Sequence, residues 1–286
     1  MSNFLSLISH QAEDKFGKGN EDAITKWVEY WEGTLSRNVE LVEIFRAQTR
    51  ISFLGKTVVD VGCGTGGLSQ IVASEGGKYF GLDYYPAILE MAQAFVRDLG
   101  AGAPAAVLRC TATHLPLADS SADYVAAFDV IEHLVGGEKW QSQFLCEVCR
   151  ILRPKGVLLL TTPNRLHPFE GHTLMYGPQY LPIFLADRYI RWRNPSFLQE
   201  YRSFREIHLF TPWKMKKFLE AAGLKLLPDF PWGMPLEDYS PNKRICLRAF
   251  GVLGLGWLPP SSFWIAACRR EEWEEMKRLK ISRRKN

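Results

Sequence analysis

The stretch Val58-Val59-Asp60-Val61-Gly62-Cys63-Gly64-Thr65-Gly66 decides the fold. It reads as a buried β-strand running straight into a glycine-rich turn, with a helix expected from about Gly67. A side chain at Gly62, Gly64 or Gly66 would keep a ligand from lying against the backbone, and glycine adopts the positive φ angles of such a turn without steric cost. A ligand at the strand's carboxyl end would meet the N–H groups and positive end of the following helix. Gly62-Cys63-Gly64-Thr65-Gly66-Gly67 fits the dinucleotide fingerprint only loosely. Two acids separate the readings. Asp60 stands before the first glycine, and Asp83 ends a second strand, Lys78 to Leu82, about twenty residues further on, where a carboxylate can accept both hydroxyls of a ribose.

Working outward, Leu108 to Leu117 carries a third strand and a polar turn, Ala122 to Leu134 a fourth strand ending in Asp129-Val130-Ile131-Glu132-His133, and Arg150 to Asn164 a helix end, a loop and a fifth strand. Val-Asp-Val-Gly-Cys-Gly-Thr-Gly resembles motif I of the class I S-adenosylmethionine (SAM) dependent methyltransferases, and the later segments resemble that family's motifs in their order over Lys56 to Asn164. The resemblance extends to the ubiquinone-biosynthesis and methyltransferase type 11 and 23 group. It implies an α/β, Rossmann-like, seven-stranded and mostly parallel sheet with helices on both faces and an antiparallel last strand. It implies SAM as cofactor, held by Asp60, Gly62, Cys63, Gly64, Gly66, Asp83, Tyr84, Thr111, Ala112 and Asp129. At Thr111 the family usually has an acid bordering the adenine; here a hydroxyl takes that place, and Ala112 would act through its backbone N–H.

The 286 residues are 47% hydrophobic, enough to bury a substantial core in one large domain with an insertion. Met1 to Asn20 lacks the continuous apolar segment of a signal peptide. The apolar tract Ile245 to Ala267 is broken by Arg248, glycines and Pro259-Pro260, which argues against a membrane span. Six scattered cysteines suit a reducing compartment. Cys146 and Cys149 form a C-x-x-C without a second pair, so a zinc site is not expected there. The cytoplasm is the expected location, with contact at the inner face of a membrane as an extension of it.

The net charge of +4 sits at one end: Arg269 to Asn286 holds eight Lys or Arg against four Glu. This is a basic tail on a near-neutral chain, read as a helix with Glu274 and Arg278 in i,i+4 register and as a solvated terminus, a contact with an anionic membrane surface or a contact with a partner helix. Nucleic acid is not expected as a partner, because no basic stripe runs through the body.

Strands and helices alternate, as in a parallel sheet covered on both faces. Residues 1–50 form an amino-terminal helical cover, with a helix from Glu21 to Arg50; residues 51–164 form the cofactor-binding core, with strands at Thr57 to Val61, Ala106 to Arg109, Tyr124 to Phe128 and Val157 to Thr161. The helix of Trp140 to Leu152 is expected to stop at Pro154 and Gly156. Residues 211–268 complete the core with a helix capped by Thr211 and an antiparallel pair, Leu224 to Leu227 and Phe263 to Ala267; residues 269–286 are the tail. Between them, residues 165–210 exceed a bare connection and carry aromatics with Arg188, Arg191, Arg193, Arg202 and Arg205. They read as a lid over the acceptor, or as a small helical subdomain with its own core; the two are compatible.

Methyl transfer needs alignment and exclusion of water, and a hydroxyl acceptor also needs a base. Asp129, Glu132 and His133 cluster after strand four, with Asp129 and His133 expected on one face of a helical turn. His133 is the chosen base because its ordinary pKa suits neutral pH, and His172 joins the candidate catalytic residues from the lid, with Glu170 and His167 near it. Asp129-x-x-Glu132-His133 also resembles the acid-x-x-Glu-His pattern that the ubiquinone-biosynthesis enzymes associate with a divalent ion; three ligands in sequence do not make a geometry, and a metal is the disfavoured expectation. The expected reaction is O-methylation of a small-molecule or glycan- or lipid-linked acceptor. N- or C-methylation and a non-catalytic SAM-binding assembly subunit stay open, a dehydrogenase is the weakest rival, and oligomeric state is not read.

Overall fold

A computed structural model describes residues 2–17, 19, 21–49, 51–99, 105–227 and 262–275. The tail beyond residue 275, including Arg278, and the apolar tract through residue 261 lie outside the described residues. Two compact units divide the chain, Met1–Ala127 with Arg150–Leu158, and Phe128–Cys149 with Leu159–Asn286.

In the first unit, helices α1 (Ser2–Phe16) and α2 (Glu21–Thr49) precede β1 (Thr57–Val61), α3 (Leu68–Ser74), β2 (Lys78–Asp83), α4 (Pro86–Asp98), β3 (Ala105–Arg109) and β4 (Ala122–Phe128). β1 pairs in parallel with β2 from Thr57–Lys78 to Val61–Leu82, and with β4 from Val58–Tyr124 to Asp60–Ala126. Val58 to Val61 are all buried, as continuous apolar strands of a parallel sheet must be. α1 was not foreseen as a separate helix. Phe4, Ile8 and Ala12 are buried at i, i+4 and i+8, a helical stripe legible in the sequence. Phe4 and Ile8 pack on Trp31 of α2 and on Met91 and Phe95 of α4.

α5 (Gly137–Ile151), β5 (Leu152–Pro163), the hairpin β6 (Phe169–Glu170) and β7 (Met175–Tyr176), α6 (Ile183–Arg193), α7 (Phe197–Glu200), α8 (Pro212–Ala221), β8 (Leu224–Leu226) and β9 (Ser262–Arg269) follow. The seven-stranded sheet has the order β3-β2-β1-β4-β5-β9-β8, with β8 antiparallel to β9. The order reverses between β1 and β4, the switch point beside which open α/β sheets bind ligands at the strands' carboxyl ends. Thr211 caps α8 as expected, its Oγ1 accepting the Lys214 N–H at 3.4 Å. β5 is longer than expected, beginning directly after α5 and running through Pro154 to Gly156. Lys155 there has φ +65°. A Cβ at Gly156 would come within 2.9 Å of the Arg153 carbonyl oxygen, so the expected stop signal is a tight bend inside a strand.

Within the 165–210 insertion, Met175, Ala186, Ile190, Phe197, Phe204 and Ile207 bury against one another as one hydrophobic cluster. Among the described residues, no helix is long and apolar enough to cross a membrane.

Candidate active site

The glycine turn of the first unit is shaped by backbone. Gly62, Gly64 and Gly66 have φ of +68°, +54° and +78°, which a side chain tolerates poorly. The N–H groups of Gly62 and Cys63 both reach the Leu82 carbonyl, at 2.7 and 3.1 Å, tying the turn to the end of β2. Asp83 then organises three donors. Its Oδ2 accepts the Gly64 N–H at 3.1 Å, and its Oδ1 accepts those of Tyr84 and Tyr85 at 2.7 and 3.1 Å. Burial raises the Asp83 pKa against those three bonds.

Asp60 is deeper. It is 4% exposed, and its Oδ2 accepts the Tyr79 hydroxyl at 2.9 Å. Burial pushes its pKa up to about 7, and the nearby Asp83 charge adds to that. Cys63 is buried beside the pair, and burial raises its thiol well above the ordinary value. Gly81 is small for this reason: a Cβ there would lie 2.8 Å from Tyr79 Oη and 3.0 Å from Cys63 Sγ. Of the other expected residues, Tyr84 is 53% exposed and lies under the Arg109 guanidinium, 5.5 Å from its ring centroid. Thr111 and Ala112 lie in a turn closed by the Thr111–His114 bridge, and the Thr113 hydroxyl donates to Thr111 Oγ1 at 3.3 Å.

Sequence reading did not single out Thr34 and Trp31 as neighbours of this turn. Thr34 and Thr65 share a hydroxyl hydrogen bond at 3.0 Å, and the Trp31 ring would meet a Cβ at Gly64 at 3.6 Å. α2 therefore lies directly on the glycine turn. Its apolar positions gave the only hint.

The second unit gathers the titratable groups. Asp129 does not begin a helical turn, contrary to expectation. Its φ is +54°, and the helical geometry starts after it, as a single 3-10 turn over Ile131–His133. Its N–H donates to the Thr161 carbonyl at 3.0 Å, and its Oδ1 accepts the Thr161 hydroxyl at 2.9 Å. Strand β5 thus fixes Asp129, and a left-handed residue redirects the chain where an i,i+4 spacing had been expected.

Glu132 is fully buried. Its Oε2 accepts the Thr162 hydroxyl at 2.9 Å, while Oε1 has no hydrogen-bond partner among the described residues. Burial pushes its pKa up to about 8, with the Asp129 charge adding. The insertion after β5 then brings an imidazole to Glu132. In the β6–β7 turn, Glu170 Oε1 accepts both His172 Nδ1 at 2.7 Å and the His172 N–H at 3.1 Å, and its Oε2 accepts the Thr173 N–H at 2.7 Å. His172 Nε2 stands 3.3 Å from His133 Nε2 and 4.0 Å from Glu132 Oε1. Burial pushes His133 down to about 4, and a charge on His172 adds to that. Burial works against a charge on His172 too, but the Glu170 hydrogen bond and charge, with Glu132 and Asp129, leave it above the ordinary imidazole value. Tyr201 stacks on His133 with an interplanar angle of 20°. His167 is not part of this cluster; its Nδ1 bonds the Phe169 carbonyl at 2.9 Å and closes a turn.

One ligand atom each from Glu132, His133 and His172 lies within 4.8 Å of the others. This is a carboxylate and two imidazoles, donors that suit zinc or iron(II). The set differs from the one the resemblance implied: His172 stands where Asp129 was expected. Cys146 and Cys149 are free thiols outside it.

Comparisons with known proteins follow the same lines. Residues 59–160 match the family model described as a methyltransferase domain. A probable SAM-dependent methyltransferase of Mycolicibacterium smegmatis is 40% identical over 126 residues, 43% of this chain but only 44% of that protein. A methyltransferase of Mycobacterium ulcerans, named as uncharacterized, is 33% identical over 204 residues, 71% of this chain and 76% of the relative. A ubiquinone biosynthesis O-methyltransferase of Rhizobium rhizogenes is 30% identical over 173 residues, 60% and 61% of the two chains. Among solved structures, a SAM-dependent methyltransferase from Mesorhizobium loti superposes with a TM-score of 0.53 at 17% identity, covering 79% of this chain and 95% of that one.

Proposed function

The chain belongs to the class I SAM-dependent methyltransferases, and we propose that it is an O-methyltransferase acting on a small-molecule or glycan- or lipid-linked hydroxyl. One observation carries this: the chain of contacts from Glu170 through His172 to His133. Such a relay matters to an acceptor that must lose a proton as it attacks, as a hydroxyl must. The O-methyltransferase name of the Rhizobium relative supports the same reading.

When bound, SAM would supply an electrophilic methyl on its sulfonium, the bonding pair staying with sulfur in S-adenosylhomocysteine. The bare turn at Gly62, Gly64 and Gly66 fits it, because the positive φ angles leave backbone where side chains would stand. Asp83 and Asp60 hold that turn and its strand in place, and Asp83 keeps lone pairs for the ribose. Thr111 and Ala112 would border the adenine of SAM, and Tyr84 would lie beside the cofactor next to Asp83.

The residues of the second unit handle the proton. With His172 neutral, its Nδ1–H is donated to Glu170 and its Nε2 accepts the His133 Nε2–H. The Nδ1 of His133 is then the acceptor for the substrate hydroxyl proton. As the oxygen–carbon bond forms, that proton goes to His133 Nδ1, and the Nε2 proton of His133 passes to His172. Glu170 stabilises the resulting imidazolium. A weak relay base beside a stronger terminal one draws the proton inward, and burial of Glu132, Thr173 and Glu170 keeps water from competing.

The test uses SAM carrying a carbon-13 methyl, incubated with the protein and extract from its own source. The carbon shift of the transferred methyl separates methoxy from N-methyl and C-methyl products, and solvent partition separates lipid from polar acceptors. A methoxy product is expected. An N-methyl or C-methyl product sinks the O-specific reading, label on macromolecule sinks the acceptor class, and SAM binding without transfer favours an assembly subunit.

The ligand atoms of Glu132, His133 and His172 support a second reading. They would hold a divalent ion, which would lower the pKa of a bound acceptor hydroxyl, with Glu170 orienting His172 from behind. Metal analysis of the purified protein and activity after chelation decide between ion and relay, since the same imidazole nitrogens cannot serve both.

A further inference from the structure

Helix α6 packs into the lid through Ala186 and Ile190, both fully buried, with Ile183 half-buried on the same side. The opposite side of such a helix is ordinarily polar. Here it is not. Phe184 is 69% exposed, Trp192 75% and Leu185 41%, and by helical spacing Arg188 and Arg191, also exposed, share that side with them. The single acid of the helix is turned away: Asp187 accepts the Ser203 hydroxyl and the Phe204 N–H, both at 2.8 Å. Arg193 closes the helix with its guanidinium 5.3 Å from the Trp192 ring centroid.

Single exposed apolar residues are ordinary, but three large ones on one helix face, interleaved with two arginines, mark a surface made to be covered. We infer that the outer face of α6 docks in the plane of an anionic phospholipid bilayer. Phe184, Leu185 and Trp192 enter the boundary between headgroups and acyl chains, the depth at which amphipathic aromatic and aliphatic residues settle in interfacial helices. Arg188 and Arg191 meet phosphate, which the guanidinium fork matches in geometry and charge. The absence of any acid on the face selects this partner, because an anionic surface repels a face that carries one. The turn before the helix continues the surface through Leu181, 39% exposed. Docking is independent of methyl transfer and stands or falls without it.

The full-length protein is sedimented with vesicles of phosphatidylcholine alone and of phosphatidylcholine with phosphatidylglycerol. Binding to the anionic vesicles is expected, weakened by salt. The double substitutions Phe184→Glu with Trp192→Glu, and Arg188→Glu with Arg191→Glu, should each lower the apparent affinity at least about tenfold. Both should keep the wild-type melting temperature, and Trp192→Ser alone serves if a double variant unfolds. Three results overturn the inference: wild-type protein left in the supernatant with both vesicles, variants that pellet like wild type and so assign binding to another segment, or loss of a wild-type dimer in light scattering on aromatic substitution, which makes the face a contact between two copies.

Discussion

His133 and His172 face one another Nε2 to Nε2 at 3.3 Å, although 39 residues separate them in the chain. Two imidazole nitrogens at that distance share one proton: one ring donates and the other accepts. Glu170 decides which, because it bonds the far nitrogen of His172 and favours a charge there.

If the pair works as one relay, removing either ring removes the function of both. His133→Ala and His172→Ala should each lower kcat by about 10²–10⁴-fold, and the double variant should lose little more. Binding of S-adenosylhomocysteine by calorimetry should stay within about twofold of wild type. Losses that multiply in the double variant would show two independent roles.

The pH profile follows from the same pair. His172 must be neutral to accept a proton, and its pKa lies above the ordinary 6.5, so kcat should rise with pH along a limb displaced upward from that value. Glu170→Gln withdraws the charge that holds it there. The limb should then move to lower pH while the plateau falls. An unmoved limb in Glu170→Gln assigns it to another group.

Asp60 makes stability depend on pH in the opposite sense to an ordinary surface carboxylate. Its pKa is raised from 3.8 to about 7 by burial, so between those values the native state holds a proton that the unfolded chain has released. The contribution is full below pH 3.8 and is lost as pH rises through about 7. Asp60→Asn abolishes this slope, and the variant should gain on wild type in urea midpoint as pH is raised from about 6 to about 8. Tyr79→Phe removes the hydroxyl donor and should cost about 1–3 kcal/mol.

Gly64→Ala and Gly66→Ala should each cost about 1–2 kcal/mol from positive φ, the added methyls packing 3.6 Å from Trp31 and 3.5 Å from Ala92, and should weaken S-adenosylhomocysteine binding at least about tenfold by displacing the backbone of the turn. Gly55→Ala is the control. Its φ is +66° and a Cβ there meets nothing within 4 Å, so it should carry the backbone cost and leave ligand binding alone. Equal loss of binding in all three would reduce the turn to a folding element.

The parallel sheet was legible because its signals are local: apolar runs of strand length, glycines at their ends, and an acid closing the next strand. Thr211 announced its cap in the same way. The candidate catalytic cluster was half legible. Asp129, Glu132 and His133 are adjacent in sequence, but their geometry depends on a hydroxyl of Thr161 pinning Asp129 in a left-handed conformation, and no periodicity encodes that. The pairing of His172 with His133 rests on where a two-residue hairpin lands, a tertiary fact. α6 was legible only in part: aromatic residues on both faces hid that Ala186 and Ile190 form its buried side while Arg188 and Arg191 lie on the exposed one.

The left-handed φ of Asp129 separates two properties that substitutions usually change together. Asn and Gly enter that conformation readily, whereas β-branched residues resist it. Position 129 is therefore a ready dial for protein engineers: Asn retains shape and polarity without charge, Gly retains shape alone, and Val forfeits both. Ranking those three by activity would apportion the site's demand between the trajectory of its main chain and the electrostatics of a single side chain.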